Sequence, residues 1–160
     1  MNTNDYTTRI LSATPLKLVI ITYELAIKNI SEAIKTDILD HKQKNIYKSR
    51  DCLKELIINL NPQIEISKNL YSIYIYINKL LISADIKCNL KKLNKIDEIN
   101  NILYECCDLL EILLFAWNEI DLKDKSDPIN NFSKIFAGLT YKNNKLSEYV
   151  DEASYMNFKA

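Results

Sequence analysis

Cys106 and Cys107 are adjacent, and two neighbouring thiols suggest a metal site or a redox pair. Such a site needs further ligands, for example a second cysteine pair or a histidine on a helix. The sequence offers neither, because Cys52 and Cys88 each stand singly. We therefore interpret the pair as small apolar residues of a helix. Their thiols are expected to stay reduced in the cytosol.

His41 is the one histidine of the chain and falls in a predicted loop, so any Ser-His-Asp or Cys-His site would depend on it. No Glu-x-x-His pair is present, which argues against a di-iron carboxylate bundle. The one glycine, Gly138, cannot build a phosphate-binding loop. A solvated helix face explains the carboxylates that recur at helical spacing: Asp97, Glu98, Glu105 and Asp108. The sequence thus predicts no enzyme, no catalytic residue, no cofactor and no metal site.

The charge of the chain is balanced, with 21 basic and 21 acidic residues, and the basic ones are nearly all lysine. Nucleic-acid binders usually carry a basic face rich in arginine, so we expect no nucleic-acid partner. The polar start MNTNDYTTR lacks the apolar stretch of a signal peptide. The longest apolar run, around 109–117, is too short to cross a bilayer. We expect a cytoplasmic protein without membrane insertion.

Helical periodicity dominates the chain, and glycine and proline are rare. Thr14 is a good N-cap residue and Pro15 fits the first helical position, so a helix should begin there. We predict four helices. The first covers about 14–38, and the second follows a short connection at 40–41 and ends at about 59. The third and fourth cover about 64–86 and 91–120. Helices of this length with short connections favour an all-α fold, an antiparallel up-down four-helix bundle.

The third predicted helix carries two apolar rows where one would suffice to join a bundle. The first row is Ile66, Leu70, Ile73, Ile77, Leu80 and Ala84. The second row is Tyr71, Tyr74, Ile75, Leu81 and Ile82. Two rows indicate either deeper burial or a surface that receives a partner.

The character of the sequence changes after Asp121, which divides the chain into a bundle domain at 1–121 and an extension at 122–160. Residues 124–127 read as a charged linker. A short amphipathic helix should follow Pro128 and end at Gly138. We expect the extension to be a partly ordered, helical C-terminal tail.

Three segments of the chain resemble one protein family, in the same order and at similar separations. The stretch SATPLKLVIITYELAI at 12–27 is similar to its opening helix, with Ala13, Thr14 and Pro15 in matching places. The stretch IYIYINKLLISADIKCN at 73–89 is similar to its third helix, and Ala116-Trp117 to its closing Ala-Trp. Together they resemble FliS, the flagellin-specific export chaperone family, over about 6–120.

The chain departs from the family pattern at several positions. Leu25 stands where the family has glycine, and Ile75 where it has aspartate. Lys79-Leu80 replaces an arginine pair, so the bidentate fork of arginine is lost. Ala84-Asp85 replaces Ala-Asn. Either the partner contacts have diverged or selection on them has relaxed. The apolar stripes are intact, so we expect the fold to be kept.

The resemblance implies a cytosolic chaperone that binds the C-terminal segment of flagellin, prevents premature polymerisation and brings it to the export apparatus. A disordered amphipathic segment would fold into an apolar groove. The predicted flagellin-binding residues are Tyr6, Ile10, Leu11, Tyr71, Tyr74, Ile75 and Leu81. Alternatively, the tyrosines of the third helix only cover the core; for Tyr6, which lies outside the predicted helices, a contact role is favoured. The alternative function is a generic helical adaptor or structural protein that has lost flagellin binding.

The tail suggests one further hypothesis. Phe132, Ile135, Phe136 and Leu139 could dock into the groove that flagellin would use. The motivation is a short amphipathic helix beside an apolar-rich bundle, and deletion of 122–160 would then raise the affinity for flagellin. The alternative is a loosely attached appendage.

Overall fold

The computed structural model of the chain describes residues 3–90 and 95–126. Every regular element in these ranges is an α-helix, which confirms the all-α prediction. The helices are α1 (Thr3–Leu11), α2 (Pro15–Lys35), α3 (Leu39–Ile58), α4 (Glu65–Asn89) and α5 (Ile96–Ser126).

The start of α2 is the one predicted from local signals. Thr14 has an extended backbone and its side-chain oxygen accepts a hydrogen bond from the Lys17 backbone N–H at 3.3 Å. Pro15 occupies the first turn, where a missing N–H costs nothing. The helix ends at Lys35, three residues before the predicted end, and Thr36 has an extended backbone.

The structure differs from the sequence predictions in one additional helix and in the start of another. Residues Thr3–Leu11 form a helix, α1, that the polar composition of this stretch did not suggest. His41 lies in the first turn of α3 and not in a loop, because α3 already begins at Leu39. Leu39 packs against the core, which explains why the helix starts before the polar residues.

The helices α2 to α5 form a closed ring of neighbours around one core. Helix α2 packs against α3 and α5, and α4 packs against the same two helices from the other side. Tyr23 of α2 and Tyr74 of α4 meet across the ring, with ring centroids 6.2 Å apart and their hydroxyl groups hydrogen-bonded to each other. Both side chains are completely buried. The ring is the arrangement expected of a four-helix bundle.

Polar contacts fix how α4 lies along α5. The Tyr76 hydroxyl donates to Glu105 at 2.6 Å. Eleven residues further along α4, Lys87 is paired with Glu98, which lies earlier in α5 than Glu105.

Lys42 is a buried lysine that ties three helices together. Its ammonium group donates to the Ala33 carbonyl near the end of α2 and to Asn100 Oδ1 of α5, both at 2.7 Å. The carbonyls of the last helical turn lack partners within the helix, so the first bond satisfies one of them. Desolvation by burial lowers the pKa of Lys42, although nearby Cys88 and Asp37 act in the opposite direction.

Helix α5 is longer than predicted and extends to Ser126. The prediction of a linker at 124–127 was therefore wrong for 124–126, where the charged residues continue the helix instead of ending it. No breaker precedes Pro128, so nothing local stops the helix at 120. Residues 127–160, with most of the predicted tail, lie outside the described ranges, and the division into two domains stays a prediction.

Candidate functional site: the seam between α3 and α4

One row of α4 runs along the junction with α3 and changes character halfway. Its members recur at alternating steps of four and three residues, so they share one helix face. The row is Tyr71, Ile75, Asn78, Ile82, Asp85 and Asn89. Its first half is mostly apolar and its second half mostly polar, and the two halves meet different parts of α3.

The polar half is closed by side chains of α3. Gln43 donates through Nε2 to Asp85 at 2.6 Å and to Asn89 at 2.9 Å. The guanidinium of Arg50 lies 3.8 Å from the other carboxylate oxygen of Asp85. Asp85 is largely buried, and a buried carboxylate needs such partners to offset its lost hydration. This end of the seam is therefore a satisfied polar junction between the two helices.

Arg50 and Tyr47 complete the junction. The Arg50 Nε–H donates to Asn78 at 3.4 Å, and the guanidinium carbon lies 5.8 Å from the centre of the Tyr47 ring. Partial desolvation and the hydrogen bond with Asp85 raise the pKa of Tyr47, so its hydroxyl stays protonated at neutral pH. The group is neutral and paired, which suits a structural contact better than proton transfer.

Continued along both helices, the same register predicts apolar neighbours at the other end of the seam. Gln43 contacts Asp85, and seven residues later Arg50 contacts Asn78. A further seven residues, about 10 Å along each helix, bring Ile57 level with Tyr71. Ile57 and Ile75 are half-buried, whereas Tyr71 and the neighbouring Ile58 are each about half exposed, at 50% and 51%. We call Ile57, Ile58, Tyr71 and Ile75 the seam groove.

The predicted binding residues of α4 separate into two groups. Tyr71 and Ile75 lie in the seam groove, where a partner could reach them. Tyr74 and Leu81 are completely buried and belong to the core. No partner can touch these two side chains while the ring of helices is closed.

The predicted binding residues near the N-terminus lie on α1, so the expectation that Tyr6 sits outside a helix was wrong. Tyr6 and Ile10 are buried against the bundle, and Leu11 is 77% exposed. The Tyr6 ring has the Arg9 guanidinium 5.5 Å and the Lys28 ammonium 5.0 Å from its centre. Contacts between cations and an aromatic face are attractive, so Tyr6 holds α1 against α2.

An ion pair adds to this attachment. Arg9 of α1 donates to Glu24 of α2 at 2.8 Å, and both side chains are about 30% exposed. A partly exposed pair contributes up to about 1 kcal/mol. The burial of Ile10 therefore stabilises the docking of α1 more than this ion pair does.

Tyr47 and Ile58 are surface residues of the seam that sequence reasoning missed. One signal for Ile58 was present, because Ile57 and Ile58 are consecutive and point about 100° apart on a helix. Such a pair spans a wide arc of the helix, so one of the two can lie at the edge of the core, as Ile58 does. Nothing local marked Tyr47, whose position depends on α4 lying beside α3.

The cysteines are inert in the folded chain. Burial raises the pKa of Cys106 to about 12 and that of Cys107 to about 11. Burial likewise raises the pKa of Cys52 to about 12. The thiolate is the reactive and metal-binding form, so these thiols are poor nucleophiles and ligands. The described residues contain no group of three or more His, Cys, Asp or Glu side chains placed to hold a metal ion.

No helix in the described part of the chain is long and apolar enough to cross a membrane.

Comparisons with known proteins find similarity to FliS proteins. The family model described as "Flagellar protein FliS" matches residues 1–125, more than three quarters of the chain and all five helices but for the last residue of α5. The flagellar secretion chaperone FliS of Bacillus subtilis (strain 168) is 33% identical over 79 residues. That alignment covers 48% of this chain and 59% of the relative, so it spans less than two thirds of the relative's length.

Proposed function

The chain belongs to the FliS family of flagellar proteins, and on that premise we propose that it is a cytoplasmic flagellar secretion chaperone. Its partner would be the C-terminal segment of flagellin. Bound to the chaperone, that segment could not polymerise prematurely and would be delivered to components of the export apparatus. The name of the Bacillus relative, a secretion chaperone, supports this proposal. It requires no catalysis, cofactor, nucleic acid or membrane insertion.

The seam groove is the observation that carries the proposal. Tyr71 and Ile58 expose apolar area on two neighbouring helices. Ile57 is half-buried and packs against the core, and Ile75 is half-buried. An amphipathic segment that folds into a helix could bury this area by placing its apolar face along the seam. Tyrosine suits such a contact because it offers a large surface, few rotatable bonds and one polar end.

The polar junction keeps α3 and α4 in contact, so the groove is a defined site and not a gap that opens along the whole seam. Asp85 joins Gln43 and Arg50 about three helical turns from Ile75 and four from Tyr71. This network holds α3 and α4 together while a partner occupies the groove. A preformed groove lowers the entropy cost of binding, because only the incoming segment has to become ordered.

The antiparallel up-down order of the bundle is part of the same proposal. It is supported by the contacts of Gln43 near the start of α3 with Asn89 at the end of α4, and of Lys87 with Glu98 at the start of α5. In that order the seam groove lies at the end of the bundle where α3 ends and α4 begins.

Substitution of Tyr71 tests the proposal. The full chain would be titrated with a fluorescent peptide of the flagellin C-terminal segment from the same organism. Tyr71→Glu places a charge in the groove and should weaken binding at least tenfold, which is a loss of about 1.4 kcal/mol. It should also abolish the ability of the chain to delay flagellin polymerisation.

Tyr104→Glu is the matched control, because Tyr104 is exposed to a similar extent but lies on α5. Both variants should keep the helical circular dichroism of the parent, since exposed substitutions change stability little. Equal weakening by the two variants would place the binding site away from the seam groove. Absence of binding by the folded parent would favour the alternative, a helical adaptor that no longer binds flagellin.

A further inference from the structure

Helix α5 carries a second exposed apolar surface that the proposed function does not use. Four large apolar residues lie on its outer face, each between 54% and 67% exposed: Tyr104, Ile112, Phe115 and Leu122. We call them the α5 stripe. Their positions fall within about 80° of one another on a helix of 100° per residue. Apolar rows of this kind on a monomer usually receive a partner.

The α5 stripe is interleaved with negative charge. Asp108 and Glu111 are exposed on the same face, and Glu119 is partly exposed. No basic residue lies on α5 between Ile96 and Leu122. An occupant of this surface should therefore combine large apolar side chains with positive charge.

The sequence that follows α5 has this combination. Residues 127–160 lie outside the described ranges, so only their sequence bears on the point. Between 128 and 147 there is no acidic residue, and Lys134, Lys142 and Lys145 are present. Apolar residues recur with helical spacing at the start of this stretch: Ile129, Phe132, Ile135, Phe136 and Leu139.

We propose that residues 129–139 fold back and dock on the α5 stripe of the same chain. Asp127-Pro128 follows the last residue of α5 directly and provides the turn, since proline cannot continue the helix but can begin a new one. From 129 to 139 a helix is about 15 Å long, which equals the length of α5 from Leu122 back to Ile112.

Tethering favours this surface over the seam groove. The segment begins three residues after α5 ends, so its local concentration at the α5 stripe is high. Helix α3 packs against α2 and α4, so its seam with α4 lies on another part of the ring. Docking on α5 leaves the seam groove open for flagellin.

Paramagnetic broadening in the full-length chain tests this docking. Asn130→Cys introduces a labelling site on the polar face of the segment, and the four native cysteines are buried. A spin label at this site should broaden the amide signals of 112–122 in α5 and leave those of 43–58 in α3 unchanged. Broadening of α3 instead, or of no helix, would overturn the proposal.

Two further variants sharpen the test. Phe136→Asp in the labelled chain should abolish the broadening of α5, because it removes an apolar anchor and adds charge of the same sign as the stripe. Phe158→Asp, an aromatic substitution outside the segment, should leave it intact. The label on one chain should not broaden an unlabelled, isotope-enriched second chain. Broadening between chains would show docking on another copy and would also overturn the proposal.

Discussion

Tyr71 and Tyr74 are one helical turn apart on α4 and have different environments. Tyr74 shares a hydroxyl contact with Tyr23 in the centre of the bundle and is completely buried. Tyr71 exposes half of its surface in the seam groove. At the scale of the residue, one tyrosine therefore stabilises the fold and the other is available to a partner.

A pair of substitutions separates these two roles. Tyr74→Ala should lower the free energy of unfolding by about 3–5 kcal/mol, because it leaves a large cavity in the core. Tyr71→Ala should change it by about 0.5 kcal/mol or less, since an exposed side chain loses little packing. Urea denaturation of both variants provides the measurement. Similar losses of stability would contradict the assignment of the two residues.

Lys42 gives a prediction about pH. Its pKa is lowered in the folded chain, chiefly by desolvation. Below the lowered pKa the cost of burying the ammonium is present in full. Between that pKa and the ordinary value of 10.5 the unfolded chain binds more protons, so the free energy of unfolding rises with pH. The stability advantage of the parent over Lys42→Met should therefore grow between neutral pH and about pH 10.

The comparison needs urea denaturation of both proteins at each pH, so that the titration of other groups cancels. Lys44→Met, at an exposed position of the same helix, shows the general effect of removing one positive charge. A parent–variant difference that stays constant or shrinks as the pH rises would mean that the ammonium of Lys42 is not desolvated in the folded chain.

Among the helices, those with local sequence signals could be predicted, whereas a helix that depends on burial against its neighbours could not. The start of α2 followed from Thr14 and Pro15 because a cap and a first-turn proline act within a few residues. Helix α1 could not be predicted in this way. A helix of nine residues is marginal in water, and this one depends on burying Tyr6 and Ile10 against α2.

Truncation of Ile10 tests this dependence. Ile10→Ala should release α1 from the bundle and speed amide exchange in α1 at least tenfold, a loss of about 1.4 kcal/mol in local stability. The amides of α2 should keep their protection. Leu11→Ala, at the exposed neighbouring position, should leave α1 protected. Equal effects of the two substitutions would contradict the docking of α1 through its buried face.

At the scale of the whole molecule, the closed ring of α2 to α5 determines which predicted site residues remain accessible. The sequence correctly indicated that α4 has more apolar surface than one core row needs. It could not assign Leu81 and Tyr74 to the core, because that depends on which neighbours flank α4. Tyr47 was missed for the same reason, since it joins the site only when α3 and α4 lie side by side.

Calorimetric titration at several temperatures measures whether this chain binds the C-terminal segment of flagellin. Folding of a disordered segment onto the seam groove should give one-to-one binding, a favourable enthalpy and a large negative heat-capacity change. No heat and no binding from a chain with intact helical structure would contradict the claim.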